Sequence, residues 1–538
     1  MILHSANLID QYTREGYWRK ERTLLDQFRE NCWAHPQRRA IVDPPNRAEL
    51  AGTQAVSVTY AELDRAVQAM AFDLVERGLC KGDIVVAQLP NVWELGMLYL
   101  AVARAGGVLT ALPLQWRQRD VGYVAELTEA RFYIGAERYR ELDYTVIGRE
   151  LGFEQVLTLG EVTDIARGEP RGAVDVPVDP NDAFTLCWTS GTESDPKGCP
   201  LSHNNWLFFS DLLLRVVGVQ SGDRQLCVAP LVNMTAMGVN YVPWLLTAGT
   251  LVLHHPLTPE ILIRQLVDEQ IQFTILVPAV LNMVVKRSDV DELDLSSVRT
   301  ITTGSAPPSA FTMQEFKRRW DIDIINIWGQ NEGTSLVAGP QDVPQLDMRV
   351  DHFPWWGRAG CHWPSGMQGI SVKLLDDEGR EVTKPGGIGE LCCRSPGLFP
   401  GYFRRPDLTA KAFTADGYFR TGDLFRVQDR CFIGFHDRKK DIVIRGGFNI
   451  SSAEVENAVQ AHTKVQDCAV VPVQDEVMGE RVCVCVVPKD ADDPPTLESI
   501  TGYLKEQGMS LYKLPEHLRL LDEIPRNPVG KILKNQLA

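Results

Sequence analysis

Residues 83–113 read DIVVAQLPNVWELGMLYLAVARAGGVLTALP. An apolar run opens the stretch, apolar residues at helical spacing follow, Gly106 and Gly107 stop the helix, and a second β-rich run closes it. Asn91 is the candidate cap at the helix start. Two β-rich runs joined through a helix are the signature of a crossover, which pairs the strands in parallel. The same rhythm recurs at 56–78, 259–280 and 298–333, the first with Thr59 and Glu62 spaced as a capping box. The predicted fold class is therefore an α/β large N-terminal domain with mainly parallel sheets. Ligands of such sheets gather at the carboxyl ends of the strands, where the Gly/Ser/Thr-rich stretches of this chain fall.

The last hundred or so residues have another texture. SSAEVENAVQAH (451–462) reads as a short helix capped by Ser451, and 465–488 as two strands joined by a polar turn. This is a small α+β domain. The charged run HDRKKDIVIRGG (436–447) separates the two regions.

At 538 residues the chain is too long for one ordinary domain. With 44% hydrophobic and 23% charged residues it can bury sizeable cores. A net charge of −15 argues against a nucleic-acid partner. The twelve cysteines form no Cys-x-x-Cys pair and no zinc-type cluster, and Cys483 and Cys485 alternate with valines as core thiols do. The first twenty residues lack the apolar core of a signal peptide. The apolar stretch 237–253 is broken by Asn240, Pro243 and Gly249, so it reads as buried helix and strand with no membrane span. A reducing, cytoplasmic setting is expected.

The densest concentration of hydroxyls, glycines and lysine is CWTSGTESDPKG, residues 187–198. Such a loop suits phosphate oxygens, which take many donors in a concave arrangement. It is not a Walker A loop: counted from Gly191, Pro196 stands where that motif has glycine and Gly198 where it has the magnesium-binding hydroxyl. A polar turn is the plain alternative.

Thr189 to Gly198 resemble the phosphate loop of the adenylate-forming acyl-CoA synthetases, aryl-acid ligases and luciferases. Further stretches resemble this superfamily in order along the chain: GSAPPS (304–309), WGQNEG (328–333), GIGEL (387–391), YFRTGDL (418–424), DRKKDIVIRGGFNI (437–450) and PRNPVGKI (525–532). The look is closest to acyl-CoA ligases of cyclic or aromatic acids. The resemblance implies an ATP-, Mg²⁺- and CoA-dependent acid–thiol ligase. Its large domain would span 1–439 and its small mobile α+β C-terminal domain 440–538, with the hinge at Lys440.

By resemblance, Thr189, Ser190, Gly191, Thr192 and Lys197 would hold phosphates. Gly304, Ser305 and Ala306 would lie beside adenine and the acyl group, with Trp328 and Gly329 along the adenine. Glu332 would bind the metal, and Asp423 and Arg438 the ribose. Gly446 and Gly447 would line the pantetheine path. Lys531, Glu332 and Thr192 would carry the catalysis, Lys531 by bridging the acid's carboxylate and the α-phosphate. Asn233, Met234 and Met237 would face the acid in an apolar cavity suited to a bulky cyclic or aromatic substrate.

Five positions depart from the family pattern: the pair Glu193 and Ser194, Asn331, Asp437 and Asn233. A complete acid–CoA ligase is one reading. A second is an enzyme that performs mainly the thioester step on a supplied adenylate, and a third loads a carrier protein. Residues 441–538 carry 10 Lys+Arg against 15 Asp+Glu, a net of −5 that does not favour an acidic carrier. The partners expected are a small-molecule carboxylic acid or its adenylate, and CoA; a homodimer is left open. No Gly-x-Ser-x-Gly hydrolase motif occurs.

Overall fold

The structure is a computed structural model describing residues 1–140, 142–189, 195–305, 308–439, 441–445, 448–475, 477–527 and 532–537. The chain divides into two compact units. The first comprises 1–350, 362–370 and 394–412; the second comprises 351–361, 371–393 and 413–538.

The first unit holds two sheets. The six-stranded sheet runs Gln155–Thr158, Phe132–Gly135, Ile84–Gln88, Val108–Ala111, Ala183–Trp188, Gly198–Ser202, parallel throughout except for the last pair. The eight-stranded sheet is parallel in its interior and antiparallel at both edges, ending at Asp323–Gln330 and Thr334–Ala338 on one side. The helix Trp93–Arg104 packs on Arg39–Val42 of the larger sheet and on Val108–Ala111 and Ala183–Trp188 of the smaller. Its residues 93–103 are all buried, as expected of a helix that is apolar all round. A Cβ on Gly96 would lie 2.9 Å from Ile41 Cδ1, so close approach to the sheet needs glycine there.

Local signals and tertiary demands part company at the ends of these helices. Thr59 and Glu62 form the expected capping box, with the Thr59 N–H donating to Glu62 Oε2 at 2.7 Å. Asn91, in contrast, does not cap. The cap position is Val92, with no side-chain bond. The Asn91 amide instead donates to the carbonyls of Ala229 (2.9 Å) and His254 (3.2 Å) and accepts from the Leu231 N–H (2.8 Å). It pins the segment 229–231 to the strand end at His254, a tertiary use that outcompetes the local one. The stretch 237–253 is buried helix and strand: a π-turn Met237–Tyr241, the helix Val242–Thr247 and the strand Thr250–Leu253. Among the described residues, no helix is long and apolar enough to cross a membrane.

The second unit contains an antiparallel five-stranded sheet built on Ile388–Arg394, Phe419–Val427 and Phe432–Arg438, and a mixed sheet of five strands. In the latter, the long hairpin Val465–Asp475 with Gly479–Pro488 is joined in parallel by His517–Leu520. Ser451 caps the helix Ser452–Gln460 as its sequence predicts, accepting from the Glu454 N–H. Cys483 and Cys485 are fully buried in this unit. Cys361 and Cys431, 70 residues apart, form a disulfide, which departs from an all-thiol, reducing reading.

Candidate active site

The base of the loop that the sequence predicts to bind phosphate is a hairpin. Ala183–Trp188 and Gly198–Ser202 run antiparallel with Trp188 opposite Gly198. The Thr189 N–H donates to the Lys197 carbonyl at 3.0 Å, and the Lys197 N–H to Thr189 Oγ1 at 3.3 Å. Two of the predicted phosphate residues thus close the loop's mouth on each other. A Cβ on Gly198 would meet Leu186, Phe403 and Trp188 at 3.1–3.3 Å, and the Phe403 N–H donates to the Gly198 carbonyl. The strap 397–403 therefore lies directly on the loop's root.

That strap supplies a residue which motif reading missed. Tyr402 donates its hydroxyl to Glu332 Oε1 at 2.8 Å and accepts from Lys197 Nζ at 3.3 Å, while the ammonium also sits 4.5 Å from the ring centroid. Burial, reinforced by the Glu332 carboxylate, pushes the Tyr402 phenol far above its ordinary range. The hydroxyl stays protonated and can serve both partners. Lys197 and Glu332, 135 positions apart by number, are thereby held around one oxygen. The signal that could have found Tyr402 is its place in GYFRRPD, just after a glycine-rich strap, but nothing local says which way its ring points.

Glu332 sits in a three-residue hairpin loop, 331–333, between Asp323–Gln330 and Thr334–Ala338. Gly333 adopts φ +91°, and a Cβ there would stand 2.0 Å from the Gly397 carbonyl oxygen. Only glycine lets the hairpin meet the strap. The Phe399 N–H donates to the Glu332 carbonyl at 2.9 Å, fixing the backbone as Tyr402 fixes the side chain. Among the described residues, no group of three or more His, Cys, Asp or Glu could hold a metal by itself. A buried carboxylate beside a phosphate loop fits Mg²⁺, which takes one or two carboxylates and completes its shell with phosphate and water oxygens.

Gly304 ends the strand Thr300–Thr303, where a Cβ would approach the Ile327 carbonyl oxygen to 2.6 Å. Ser305 follows at φ +71°, a left-handed conformation that non-glycine residues rarely adopt and that clusters at functional loops. Trp328 and Gly329 lie on the neighbouring strand Asp323–Gln330, opposite Leu336 and Ser335. The two motifs therefore lie together at the carboxyl ends of adjacent parallel strands.

Asn233 caps the short helix Met234–Ala236, accepting from the Ala236 N–H at 3.2 Å. Met234 is 5% exposed and Met237 fully buried. A Cβ on Gly238 would lie 2.4 Å from the Phe209 ring, so this helix is seated tightly on its neighbour.

In the second unit, Asp423 and Arg438 are register partners on adjacent strands, with Arg438 Nε 3.7 Å from Asp423 Oδ1. Asp423 is 4% exposed, and its N–H donates to Thr421 Oγ1. Its neighbour Asp437, which stands where the family has glycine, is buried. It accepts from the hydroxyls of Ser451 (2.8 Å) and Ser452 (3.2 Å) and from the Ala453 N–H (3.1 Å). The departure is thus a carboxylate set on a helix N-terminus. Ser190, Gly191, Thr192, Ala306, Lys440, Gly446, Gly447 and Lys531 lie outside the described residues. Beside the last of these, the Leu533 N–H donates to the Pro525 carbonyl at 2.8 Å, and Arg526 pairs with Asp467.

Residues 28–403 match the AMP-binding enzyme family, and residues 454–531 match the AMP-binding enzyme C-terminal domain. The class is that of adenylate-forming ligases. The chain belongs to the AMP-binding enzyme family. It is similar to a medium-chain fatty-acid–CoA ligase of Escherichia coli (strain K12), 29% identical over 97% of this chain and 91% of the relative. A feruloyl-CoA synthase of an Amycolatopsis species is 31% identical over 93% of this chain and 97% of the relative. ATP-bound MatB from Rhodopseudomonas palustris superposes with a TM-score of 0.82 at 26% identity, covering 96% of this chain and 98% of MatB.

Proposed function

We propose that this enzyme is an acid–CoA ligase. A carboxylic acid is activated by ATP as its acyl-adenylate, and the acyl group then passes to the thiol of CoA. The observation that carries the reading is the convergence of Lys197 and Glu332 on Tyr402 at the mouth of the phosphate loop. Direct attack on a carboxylate would have to expel oxide. Attack by the carboxylate oxygen on the α-phosphorus forms a P–O bond and expels pyrophosphate; the thiol then adds to the acyl carbon and AMP leaves with the former carboxylate oxygen.

The first step brings two anions together, so the protein's work is positioning and charge neutralisation. Thr189, Ser190, Gly191, Thr192 and Lys197 are proposed to hold the phosphates, with Glu332 as the residue that would carry magnesium. Magnesium, when bound, supplies positive charge to phosphate oxygens. Asp423 is proposed to accept both ribose hydroxyls through its paired oxygens, with Arg438 beside it, and Gly304 to Ala306, Trp328 and Gly329 to take the adenine. Lys531 is proposed to steady the attacking carboxylate against the α-phosphate, then to withdraw as residues 440–538 turn about Lys440 and the thiol enters past Gly446 and Gly447.

For the acid, the buried sulfurs of Met234 and Met237 and the absence of a charged side chain in 229–238 favour a bulky cyclic or aromatic substrate over a short or dianionic one. CoA is proposed over a carrier protein because the tail is net acidic and because both ligases above are CoA-forming by name. The use of CoA, an intracellular thiol, places the enzyme in the cytoplasm within this proposal.

Lys531→Ala tests the division of labour. Acid-dependent pyrophosphate release should fall on the order of 10²–10³-fold, while thioester formation from a supplied acyl-adenylate should change by less than about threefold. Equal losses in both half-reactions would refute the assignment.

A further inference from the structure

The residue before Glu332 makes two contacts that the ligase reading does not use. Asn331 Nδ2 donates to the Trp188 carbonyl at 2.8 Å, and Asn331 Oδ1 accepts from the Met234 N–H at 2.9 Å. Both partners are backbone groups, so the amide's orientation is fixed: only its nitrogen can meet a carbonyl, and only its oxygen can meet an N–H. Trp188 is the last residue of the strand that leads into the loop 189–197, and Met234 is the first of the short helix Met234–Ala236, which the proposed function sets on the acid side. Trp188 and Met234 are each 5% exposed, and both bonds are part-buried.

We propose that Asn331 is a positioning residue that couples the acid-side helix to the root of the phosphate loop. The proposal rests on the adenylation reading of this site and adds to it a reason why the two ligands would sense each other. Asn331 and Glu332 occupy successive positions of one tight hairpin whose backbone is pinned to the strap by Phe399 and Gly333. Asn331 grips the entry of the loop, and Glu332 reaches its exit through Tyr402 and Lys197. A shift of the loop on binding phosphates is thus passed through a single amide to the Met234 backbone. The chemistry of asparagine is specific to this task. Ionised aspartate offers no donor to the Trp188 carbonyl, and threonine, whose hydroxyl can both donate and accept, would have to reach both backbone groups from a single oxygen where asparagine has two separate atoms.

Hydrogen exchange with MgATP as the probe tests the coupling without knowledge of the acid. In the ligand-free wild type, the peptide 231–238 should exchange slowly at Met234. Asn331→Asp should speed that exchange on the order of 2- to 10-fold, the effect of losing a neutral hydrogen bond. Adding MgATP should slow exchange in 231–238 at least about threefold in the wild type and leave it unchanged in Asn331→Asp at matched nucleotide occupancy. Asn331→Thr, which keeps one polar contact and gives a second chance of a folded variant, should retain part of the response. Unchanged ligand-free exchange in both variants would overturn the strut. Equal MgATP protection in wild type and variants would overturn the coupling. Failure of the wild type to bind MgATP would overturn the ligase reading and the coupling with it, while the ligand-free arm would still decide whether the strut exists.

Discussion

Tyr402 does at the scale of one side chain what the recognisable motifs cannot do alone. A lysine and a glutamate of opposite charge placed this close are prone to neutralise each other; the phenol between them hydrogen-bonds to each and keeps both near the loop. Tyr402→Phe should lower kcat for acid-dependent pyrophosphate release by about 10- to 100-fold, the range for one hydrogen bond to a charged group. Its melting temperature should stay near that of the wild type, since the ring's packing is kept. Wild-type kcat in this variant would show that the hydroxyl has no part in catalysis. None of this was legible in the sequence, because Tyr402 meets its partners 205 and 70 residues away. Lys197 and Glu332 could be singled out as candidates because each lies in a short stretch that resembles a family motif.

Helix starts show the same boundary between the local and the distant. Thr59–Glu62 and Ser451–Glu454 could be read as caps because both halves of each cap lie within one turn. Asn91 has the right residue type in the right place, yet its amide is spent on chain 138 to 163 residues downstream. Asp437 was visible only as a departure from glycine; its role needs the fold, which brings the helix Ser452–Gln460 onto it. Asp437→Ala should strip that helix N-terminus of a buried carboxylate accepting three bonds, destabilising the protein by about 2–3 kcal/mol. A urea-unfolding comparison should show the loss, and limited proteolysis should cut first near 440–460. Unaltered stability would mean that the Ser451 cap suffices on its own.

For the whole molecule, the parallel sheets and the small α+β tail followed from the alternation of strand and helix patterns. The grouping of 351–361 and 371–393 with the tail did not, since strand pairing across such distances leaves no periodic trace. The Cys361–Cys431 bond was equally unreadable, its partners 70 residues apart without a recognisable spacing. Buried ionisable groups set how the fold responds to acid. Burial holds the imidazoles of His4, His203 and His255 down to about 4. Their folded-state values lie below the ordinary 6.5, so the stability they contribute is present above pH 6.5 and lost as pH falls toward 4. Asp43, buried beside Arg47 and Glu94, runs the other way: burial lifts its carboxyl to about 6, and its contribution is lost as pH rises through that value. Between about pH 6 and 4.5 these imidazoles, joined by those of His254, His436 and His462, which burial also lowers, outweigh the raised carboxyls of Asp43 and Glu456, and stability should fall as the pH falls. Urea midpoints measured across this window check the slope; a flat profile would show that these rings titrate normally in the fold.

A two-step acyl transfer through an adenylate, as proposed for this enzyme, is read directly by its product stoichiometry. Purified enzyme should be given ATP, Mg²⁺ and CoA with a panel of cyclic, aromatic and medium-chain acids, while AMP, pyrophosphate and thioester are quantified together. At least one acid should yield all three in equal amounts, none of them forming when the acid is left out. Release of ADP and phosphate, or no acid-dependent pyrophosphate with any member of the panel, would contradict the account.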